Sequence, residues 1–323
     1  MPVKWGIVST ANINRLFLAG ARQSDAVEIL AVASRDRARA DAYAGENGIE
    51  RAYGSYDDLL GDPDVEVVYI SLPNSMHIDT TVRALEAGKH VLCEKPLSRR
   101  AAEVDRAFDV AGRNDRLLME AFMYRHNPQT RVLTELVAQR AVGRVRIIRA
   151  AFGFVARDLA NVRLSVELDG GALMDVGCYC VSGSRLIAGE PERVMGEQAL
   201  GGDGVDVAFA GVMRFADDVT AHFDAGLALA SQDLLEVVGD EGTLRLTDPW
   251  HCRRPGIDIL REDGAERIDL EPVNSYRLEA ENMSAAIRGE APLLLGRDDA
   301  IGQAKTIEAL YEAADNGRPV SLF

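Results

Sequence analysis

Residues 5–23 read WGIVSTANINRLFLAGARQ, a short apolar run that passes through a polar turn into a segment of helical composition. The same alternation repeats up to residue 122, at the spacing expected of consecutive βαβ units. It predicts an α/β fold whose first part is a doubly wound parallel sheet. The expected strands are Trp5–Ser9, Val27–Ser34, Val65–Leu72, His90–Glu94 and Leu117–Phe122, and the expected helices are Asn14–Gln23, Arg37–Asn47, Asp79–Ala87 and Ala101–Arg113.

The pattern changes after Phe122 to longer strand candidates that follow one another directly, which is typical of an α+β domain with a large, mostly antiparallel open sheet. We therefore expect two domains, 1–122 and 123–323, as the length of the chain also suggests. We expect the final helix, about 298–316, to pack on one domain or between the two. The strands expected in the second domain are Arg144–Phe154, Val205–Phe215, Val219–Ala225, Leu234–Val238 and Thr243–Leu246.

The composition limits the classes of partner. The 36 Lys and Arg residues against 51 Asp and Glu give a net charge of -15 at pH 7, so we expect the surface to repel nucleic acid and anionic membranes. No apolar run approaches membrane-spanning length, and no signal-peptide pattern opens the chain. The four cysteines and five histidines lack the spacing of a disulfide framework or a metal site. We predict a soluble cytoplasmic protein without a metal, which binds neither nucleic acid nor membrane.

The first strand-helix turn is where a doubly wound sheet binds a dinucleotide, usually on a Gly-x-Gly-x-x-Gly fingerprint. The corresponding residues here are Ser9, Thr10, Ala11, Asn12, Ile13 and Asn14. Ala11 is small enough for backbone amides at the helix start to approach a pyrophosphate, and Ser9 can hydrogen-bond within the turn. Taken alone, this segment is as typical of an ordinary strand-turn-helix as of a cofactor site.

The end of the second strand bears on the type of cofactor. NAD is usually held there by an acidic residue bonded to its ribose, whereas this strand ends Ala33-Ser34-Arg35-Asp36 and is followed by Arg39. A hydroxyl and guanidinium groups suit the 2′-phosphate of NADP. We therefore favour NADP, with NAD as the other candidate. The alternative interpretation is that Arg35 and Arg39 are solvated charges at the start of a helix.

Three further residues have the chemistry of a redox site. The run His90-Val91-Leu92-Cys93-Glu94-Lys95-Pro96 predicts a buried strand that brings the Lys95 ammonium to a sheet edge, where it can stabilise a forming alkoxide. Asp175 and Tyr179 lie four apart on an expected helix, so both project from one face. Taken singly, ordinary roles explain them equally well: a solvated loop lysine, a helix-start aspartate and a half-buried tyrosine.

In their order along the chain, these motifs resemble the Gfo/Idh/MocA oxidoreductase family. The last two of the matching blocks are similar to a branch that contains dimeric dihydrodiol dehydrogenase and NADP-dependent D-xylose dehydrogenase, with sugar 3-ketoreductases nearby. The resemblance implies an N-terminal Rossmann domain that binds NAD(P), followed by a substrate-binding open-sheet domain that often dimerises. The blocks are the modified glycine motif, Ser71–His77, Glu94–Pro96, Met119–Pro128 and Gly170–Tyr179, so they cover most of the chain.

The resemblance also implies roles for single residues. Lys95, Asp175 and Tyr179 would surround the reacting carbon, with Tyr179 standing where many relatives carry histidine. Arg163 would belong to a substrate-side loop. His77 would lie near the nicotinamide, although a histidine at the start of the following helix is an equally good interpretation. The remaining residues placed on the cofactor side are Leu72, Pro73, Asn74, Glu94 and Lys95.

The predicted reaction is hydride transfer between NADP and a sugar or a sugar-like polyol or ketone. Tyr179 would exchange a proton with the substrate oxygen, while Lys95 lowers the tyrosine pKa from about 10 and stabilises the alkoxide. Asp175 would hydrogen-bond a substrate hydroxyl. In the competing assignment Lys95 is itself the acid/base and Tyr179 orients the sugar. Other candidate functions are reduction of a nucleotide-linked keto-sugar, oxidation of a trans-dihydrodiol, and non-catalytic NADP binding by a redox sensor.

Residues 207–213, VAFAGVM, are apolar at every position, whereas an antiparallel strand with one face in water should alternate. Both faces of this strand therefore need a cover. Helices of the same domain supply one cover, and a second copy of the chain is the simplest other one. We predict a homodimer through the sheet of the second domain.

Overall fold

The computed structural model describes residues 1–158 and 160–322, and these form two compact units. The first unit comprises Met1–Ser98, Ala102–Met123 and Asn274–Ile301, and the second comprises Arg99–Ala101, Tyr124–Val273 and the chain from Gly302 onward. None of the helices in the described ranges is long and apolar enough to cross a membrane.

The secondary structure alternates strand and helix up to residue 121 and is dominated by strands afterwards. Numbered along the chain, the strands are β1 Val3–Val8, β2 Val27–Ala33, β3 Arg51–Tyr53, β4 Val67–Ile70, β5 His90–Glu94, β6 Leu118–Ala121, β7 Val145–Val155, β8 Arg193–Leu200, β9 Asp206–Arg214, β10 Thr220–Gly226, β11 Ala228–Gly239, β12 Thr243–Leu246, β13 Gly256–Arg261, β14 Gly264–Asp269 and β15 Val320–Ser321. The helices are α1 Asn14–Ala21, α2 Arg37–Asn47, α3 Tyr56–Leu60, α4 His77–Glu86, α5 Ala101–Arg113, α6 Pro128–Ala138, α7 Cys178–Ala188, α8 Ser275–Ile287 and α9 Arg297–Asn316.

The first unit is built on a parallel six-stranded sheet in the order β3-β2-β1-β4-β5-β6. Its strands are rich in Val and Ile because parallel strands are covered on both faces, and all four residues of β4 are buried. This order confirms the predicted doubly wound, Rossmann-type sheet. The five expected strands all form, while the three-residue β3 and the short α3 are too brief to show a periodic pattern in the sequence.

The strand order of this sheet reverses between β1 and β4. Ligands of open α/β sheets bind outside the carboxyl ends of the strands at such a reversal. The residues that follow β1, β4 and β5 are Ser9, Ser71 and Lys95. This edge of the first unit is therefore the place to look for a cofactor site.

The second unit contains a nine-stranded sheet in the order β14-β13-β12-β11-β7-β10-β9-β8-β15. Of the strand pairs of this sheet in the described residues, only β7 and β10 run parallel, which confirms the predicted mostly antiparallel sheet. Helix α7 packs on β7 and β10, and Tyr311 of α9 contacts Phe209 of β9 with the two ring centroids 5.8 Å apart. Val212 alternates with Phe209 along β9 and is exposed on the opposite face.

Candidate active site

The turn after β1 has an unusual backbone at Ser9, whose φ is +124°. Residues other than glycine rarely adopt such a conformation, and the dinucleotide fingerprint places a glycine in this turn. The Ser9 hydroxyl oxygen accepts a hydrogen bond of 3.1 Å from the Ala11 N–H. Ser9 thus makes the tight turn without glycine and uses its own side chain to hold it.

Two polar residues that lie in the sequence motifs but were assigned no role there, Asn14 and Ser71, fix this turn to the end of β4. The Asn14 amide donates to the Ser9 carbonyl at 3.0 Å, and the Ser71 hydroxyl donates to the Asn14 side-chain oxygen at 2.6 Å. The hydroxyls of Ser9 and Ser71 lie 2.8 Å apart. Asn14 is fully buried. The network therefore gives the edge between β1 and β4 a rigid polar floor.

The start of α1 offers backbone donors to an anion. No side chain of residues 1–158 or 160–322 caps this helix, which is preceded by Ile13 in helical geometry. The N–H groups of Asn14, Arg15 and Leu16 already donate to the carbonyls of Ala11, Asn12 and Ile13. Among the described residues, the N–H groups of Asn12 and Ile13 have no such acceptor, and donors of this kind before a helix bind phosphates. The chain that leads into the helix consists of the predicted cofactor residues Thr10, Ala11, Asn12 and Ile13. The arrangement fits a pyrophosphate.

The residues after β2 fit a 2′-phosphate better than a ribose diol. The Asp36 carboxylate caps α2 by accepting from the Arg39 N–H at 3.2 Å, and the Ser34 hydroxyl oxygen accepts from the Asp36 N–H at 3.3 Å. The guanidinium groups of Arg35 and Arg39 are exposed and form no ion pair with any residue that the structure describes. The acidic group is thus engaged by the helix, while two cations remain available to a phosphate.

Lys95 is half-buried directly after β5, and the loop that carries it is fixed from two sides. The ring of the fully buried His77 spans two backbone carbonyls, with Nδ1 2.9 Å from the Pro96 oxygen and Nε2 2.8 Å from the Leu72 oxygen. On the other side, the Leu97 N–H donates to the Glu120 carboxylate at 2.8 Å. Burial lowers the pKa of His77 and the charge of Lys95 lowers it too, although the two carbonyls raise it. The neutral imidazole carries a single N–H and donates to one of these carbonyls, so the buried ring lies between the Lys95 loop and Leu72 and ties the loop in place.

Two acidic residues of the first unit, Glu94 and Glu279, interact through their charges. Glu94 directly precedes Lys95 in the sequence. The Tyr69 hydroxyl donates to the Glu94 carboxylate. Glu279 of α8 is 1% exposed, and neither of its carboxylate oxygens has a hydrogen-bond partner among the described residues. Burial raises the pKa of Glu279 well above its usual value, and the charge of Glu94 raises it further. Burial and the Glu94 charge thus favour the protonated form of Glu279 in the folded chain.

In the second unit, the structure brings Arg163 and Asp175 together, with Arg163 Nε donating to Asp175 Oδ2 at 2.7 Å. The loop that carries Arg163 lies against Gly170 and Gly171. The Gly171 N–H donates to the Arg163 carbonyl at 2.9 Å, and a Cβ on Gly170 would lie 2.3 Å from that same oxygen. The double glycine thus allows the close approach that brings the guanidinium to the carboxylate.

The helix that carries Asp175 and Tyr179 is not uniform. Residues Leu173–Gly177 form a π-helical segment, and α7 continues from Cys178 as an α-helix. The sequence predicted a regular helix here because a one-turn π-segment leaves no mark on hydrophobic periodicity. Such segments are frequent at functional sites. Asp175 lies within the π-helical segment and Tyr179 in the first turn of α7.

Tyr179 is surrounded by aromatic rings that the sequence did not assign to the site. Its ring centroid lies 5.3 Å from Phe152, 5.8 Å from Tyr124 and 5.9 Å from Trp250. These rings come from β7, from the chain before α6 and from the loop after β12, so no local pattern connects them. Together they form an apolar wall within the second unit, and the Tyr179 ring packs against it.

A polar cluster lies next to Phe152. The His251 ring meets Phe152 edge-on with centroids 5.4 Å apart, and its Nδ1 lies 3.1 Å from an Asp233 carboxylate oxygen. Ligand atoms of Asp233, Asp248 and His251 all lie within 4.8 Å of one another. One oxygen of Asp248 already accepts from the N–H groups of Arg253 and Arg254. The fold thus gathers three groups whose irregular sequence spacing concealed them.

The sequence candidates thus form two sets, one in each unit. Those in the first unit, from Ser9 to Lys95, line the carboxyl edge of the parallel sheet after β1, β2, β4 and β5. Those in the second, Arg163, Asp175 and Tyr179, lie on one loop and one helix. Asn14, Ser71, Glu120 and the aromatic rings around Tyr179 complete the sets.

Two family models match this chain. The model of the oxidoreductase family with an NAD-binding Rossmann fold matches residues 3–122, and that of the GFO/IDH/MocA C-terminal domain matches residues 130–245. A D-xylose 1-dehydrogenase (NADP(+)) of Haloferax volcanii is 38% identical over 98% of this chain and 99% of its own. The human trans-1,2-dihydrobenzene-1,2-diol dehydrogenase is 34% identical over 78% and 76% of the two chains.

A solved 3-ketoreductase from Actinomadura kijaniata, in complex with NADP and TDP-benzene, superposes with a TM-score of 0.91 at 29% identity, covering 97% of this chain and 98% of its own. The resemblance predicted from the motifs is therefore confirmed over both halves of the chain. The chain belongs to the Gfo/Idh/MocA family of oxidoreductases.

Proposed function

We propose that the protein is an NADP-dependent dehydrogenase or reductase that acts on a hydroxyl or carbonyl carbon of a sugar or sugar-like polyol. The observation that carries this proposal is the Lys95 loop, held by His77 and Glu120 at the carboxyl edge of a doubly wound sheet. The relatives named as an NADP-dependent D-xylose dehydrogenase and a 3-ketoreductase support the substrate class.

The residues of the first unit fit NADP. The Ser9 turn and the uncapped start of α1 suit the pyrophosphate, while Arg35 and Arg39 suit the 2′-phosphate. NADP supplies or accepts the hydride when it is bound. The other residues proposed on the cofactor side are Ser34, Leu72, Pro73, Asn74, His77 and Glu94.

In the proposed mechanism Tyr179 exchanges a proton with the substrate oxygen, and the Lys95 ammonium stabilises negative charge on that oxygen and on the tyrosine. Asp175 accepts a hydrogen bond from a substrate hydroxyl, with its carboxylate held by Arg163. A fixed carboxylate loses less entropy when the substrate binds, which favours a defined orientation. The competing assignment, with Lys95 as the acid/base, uses the same residues.

The second candidate substrate is a trans-dihydrodiol, because the human relative is named as a dihydrodiol dehydrogenase. The aromatic rings around Tyr179 do not distinguish a dihydrodiol from a sugar, since Phe152, Tyr124 and Trp250 are only 8%, 1% and 0% exposed and pack against one another.

A screen in both directions tests the proposal, with the absorbance of NADPH followed against pentoses, hexoses, nucleotide-linked keto-sugars and trans-dihydrodiols. We expect turnover with at least one member of these classes, and its loss in Lys95→Met. Arg113→Met, which removes an exposed cation of the first unit, is the matched control. Tight NADP binding without turnover of any of these compounds would contradict the enzyme and favour a redox sensor.

We also propose that the nine-stranded sheet forms a homodimer. Ile147 of β7 and Val212 of β9 are 37% and 45% exposed on the face opposite Phe209. Exposed aliphatic residues on a sheet suit burial against a second copy. Sedimentation at micromolar concentration should give a dimer for the native chain and a monomer for Val212→Arg. Leu294→Arg, at an exposed position of the first unit, should remain dimeric.

For the compartment, we propose the cytoplasm. All four cysteines are buried thiols, and thiols persist in reducing compartments. Fractionation of the source cells with an antibody against the protein should recover it with cytosolic markers, and recovery with secreted proteins would contradict this assignment.

A further inference from the structure

A buried carboxylate stands behind the helix that carries Asp175 and Tyr179. Asp206, the first residue of β9, is 2% exposed. Its Oδ2 accepts a hydrogen bond of 2.6 Å from the Leu173 N–H, and its Oδ1 accepts one of 2.9 Å from the Tyr311 hydroxyl. Both of its oxygens are therefore engaged, one by the catalytic helix and one by α9.

The Leu173 N–H belongs to the first turn of that helix, where backbone donors have no partner within the helix. Leu173 opens the π-helical segment that contains Asp175. The backbone in front of it fits around the carboxylate, since Gly171 has a φ of +123° and a Cβ there would lie 2.1 Å from Asp206 Oδ1. The Asp175 N–H donates to the Gly171 carbonyl at 2.9 Å. Asp206 thus holds the turn at Gly171 and Leu173. This turn sets the position of Asp175, because the Gly171 carbonyl accepts the hydrogen bond from the Asp175 N–H.

Tyr311, the second hydrogen-bond donor to the Asp206 carboxylate, is itself held by other side chains. The Arg99 guanidinium lies 4.5 Å from the centroid of the Tyr311 ring, and its Nε is 2.7 Å from an Asp169 carboxylate oxygen. The Phe209 ring meets the Tyr311 ring edge-on, with the centroids 5.8 Å apart. Asp169 lies directly before the double glycine. The turn from 169 to 173 is therefore fixed at both ends by one connected set of side chains.

We propose that Asp206 is a positioning residue for substrate, which sets the start of the catalytic helix through the Leu173 N–H and Tyr311 and so fixes Asp175 and Tyr179. This inference rests on the proposed function of those two residues. A neutral amide could cap the helix as well, but a carboxylate accepts from both donors at once and is favoured by the positive end of the helix. Protonation of Asp206 removes one of its acceptors.

The groups facing Asp206 are Tyr311 and Arg99, together with the backbone of Leu173. Burial raises the pKa of Asp206 to about 6, although the bonds from Leu173 and Tyr311 oppose the rise. If the carboxylate positions the helix, kcat/KM for substrate falls as the pH drops through about 6. The Asp206→Asn variant, which cannot titrate, should lack this inflection.

The test compares Asp206→Asn, Asp206→Ala and Tyr311→Phe with Asp203→Ala, an exposed carboxylate three residues earlier. We expect Asp206→Ala to lower kcat/KM by about 10-fold to 100-fold, with a change in the Kd of NADP below about twofold, since the cofactor residues belong to the other unit. Tyr311→Phe, which keeps the carboxylate, should lose about threefold to tenfold. Asp203→Ala should behave as the native chain.

Hydrogen exchange supplies a readout that does not need turnover. The backbone N–H groups of residues 173–179 should exchange at least about tenfold faster in Asp206→Ala than in the native chain, as expected when a capping bond is lost. Unchanged exchange, or native kcat/KM in a folded Asp206→Ala, would overturn the inference. If the native chain turns over no substrate but the exchange result holds, the proposed function fails while the structural role of Asp206 stands.

Discussion

Glu279 gives the sharpest prediction on stability, because its carboxyl group is 1% exposed and has no hydrogen-bond partner in the described ranges. Burying a polar group without a partner costs about 1–3 kcal/mol. Methionine has a similar volume and no such cost. Glu279→Met should therefore raise the free energy of unfolding by about 1–3 kcal/mol at neutral pH. This corresponds to roughly 2–4 °C in Tm per kcal/mol.

The pH dependence of this gain has a definite sign. The pKa of Glu279 is raised by burial above its unfolded value, so the folded state favours the protonated form. Its contribution to stability is fully present below about pH 4.5 and is lost as the pH rises through the folded pKa. The advantage of Glu279→Met should therefore be larger at high pH than at pH 5. Glu279→Gln should also remove this dependence, while keeping the cost of a buried polar group.

Denaturant unfolding at pH 5 and pH 8 measures both effects. Glu290→Met, which changes an exposed carboxylate shortly after the same helix, is the matched control and should stay within about 0.5 kcal/mol of the native chain. A Glu279→Met protein that is less stable than the native chain at pH 8 would contradict the cost assigned to the buried carboxyl group. An equal gain at both pH values would contradict the raised pKa, because the part of the cost that depends on ionisation would be absent.

Three further predictions concern single side chains. Tyr179→Phe should lower kcat by about 10²-fold or more while the Kd of NADP is unchanged, and a loss below about threefold would assign the proton transfer to Lys95 instead. Arg35→Ala should raise the KM for NADP by about tenfold and leave that for NAD unchanged, which kinetics with both cofactors would show, and an equal rise for both would contradict the assignment. Gly171→Ala should lower the free energy of unfolding by at least about 2 kcal/mol, because the residue at this position has a φ of +123° and the new Cβ would lie 2.1 Å from Asp206 Oδ1. Thermal unfolding measures this loss, and a native Tm would contradict it.

The first unit was predictable from sequence because its information is local. Each strand of the βαβ series is a buried run bounded by turns, and helices such as α2 begin at a capping Asp36. The modified glycine motif still forms the expected turn, because Ser9 adopts the backbone conformation that glycine usually adopts there. The return of α8 to the first unit was not visible, because its moderate amphipathicity does not say which core it joins.

The surroundings of Tyr179 and Asp206 were beyond sequence reasoning for a different reason. Phe152 and Trp250 pack against Tyr179, and Tyr311 donates to Asp206, although the three residues come from a strand, a loop and a helix far apart in the chain. Each of them looks like an ordinary core aromatic when it is considered alone. Only the register of the nine-stranded sheet brings them together, and a single sequence carries no record of that register.

In the proposed mechanism, the Lys95 ammonium stabilises charge on the oxygen of the reacting carbon. The single-turnover rate of hydride transfer in Lys95→Met, measured together with the Kd of NADP, tests this role. We expect a rate lower by about 10²-fold to 10³-fold with a Kd changed by less than about threefold. Hydride transfer at the native rate in this variant would contradict it.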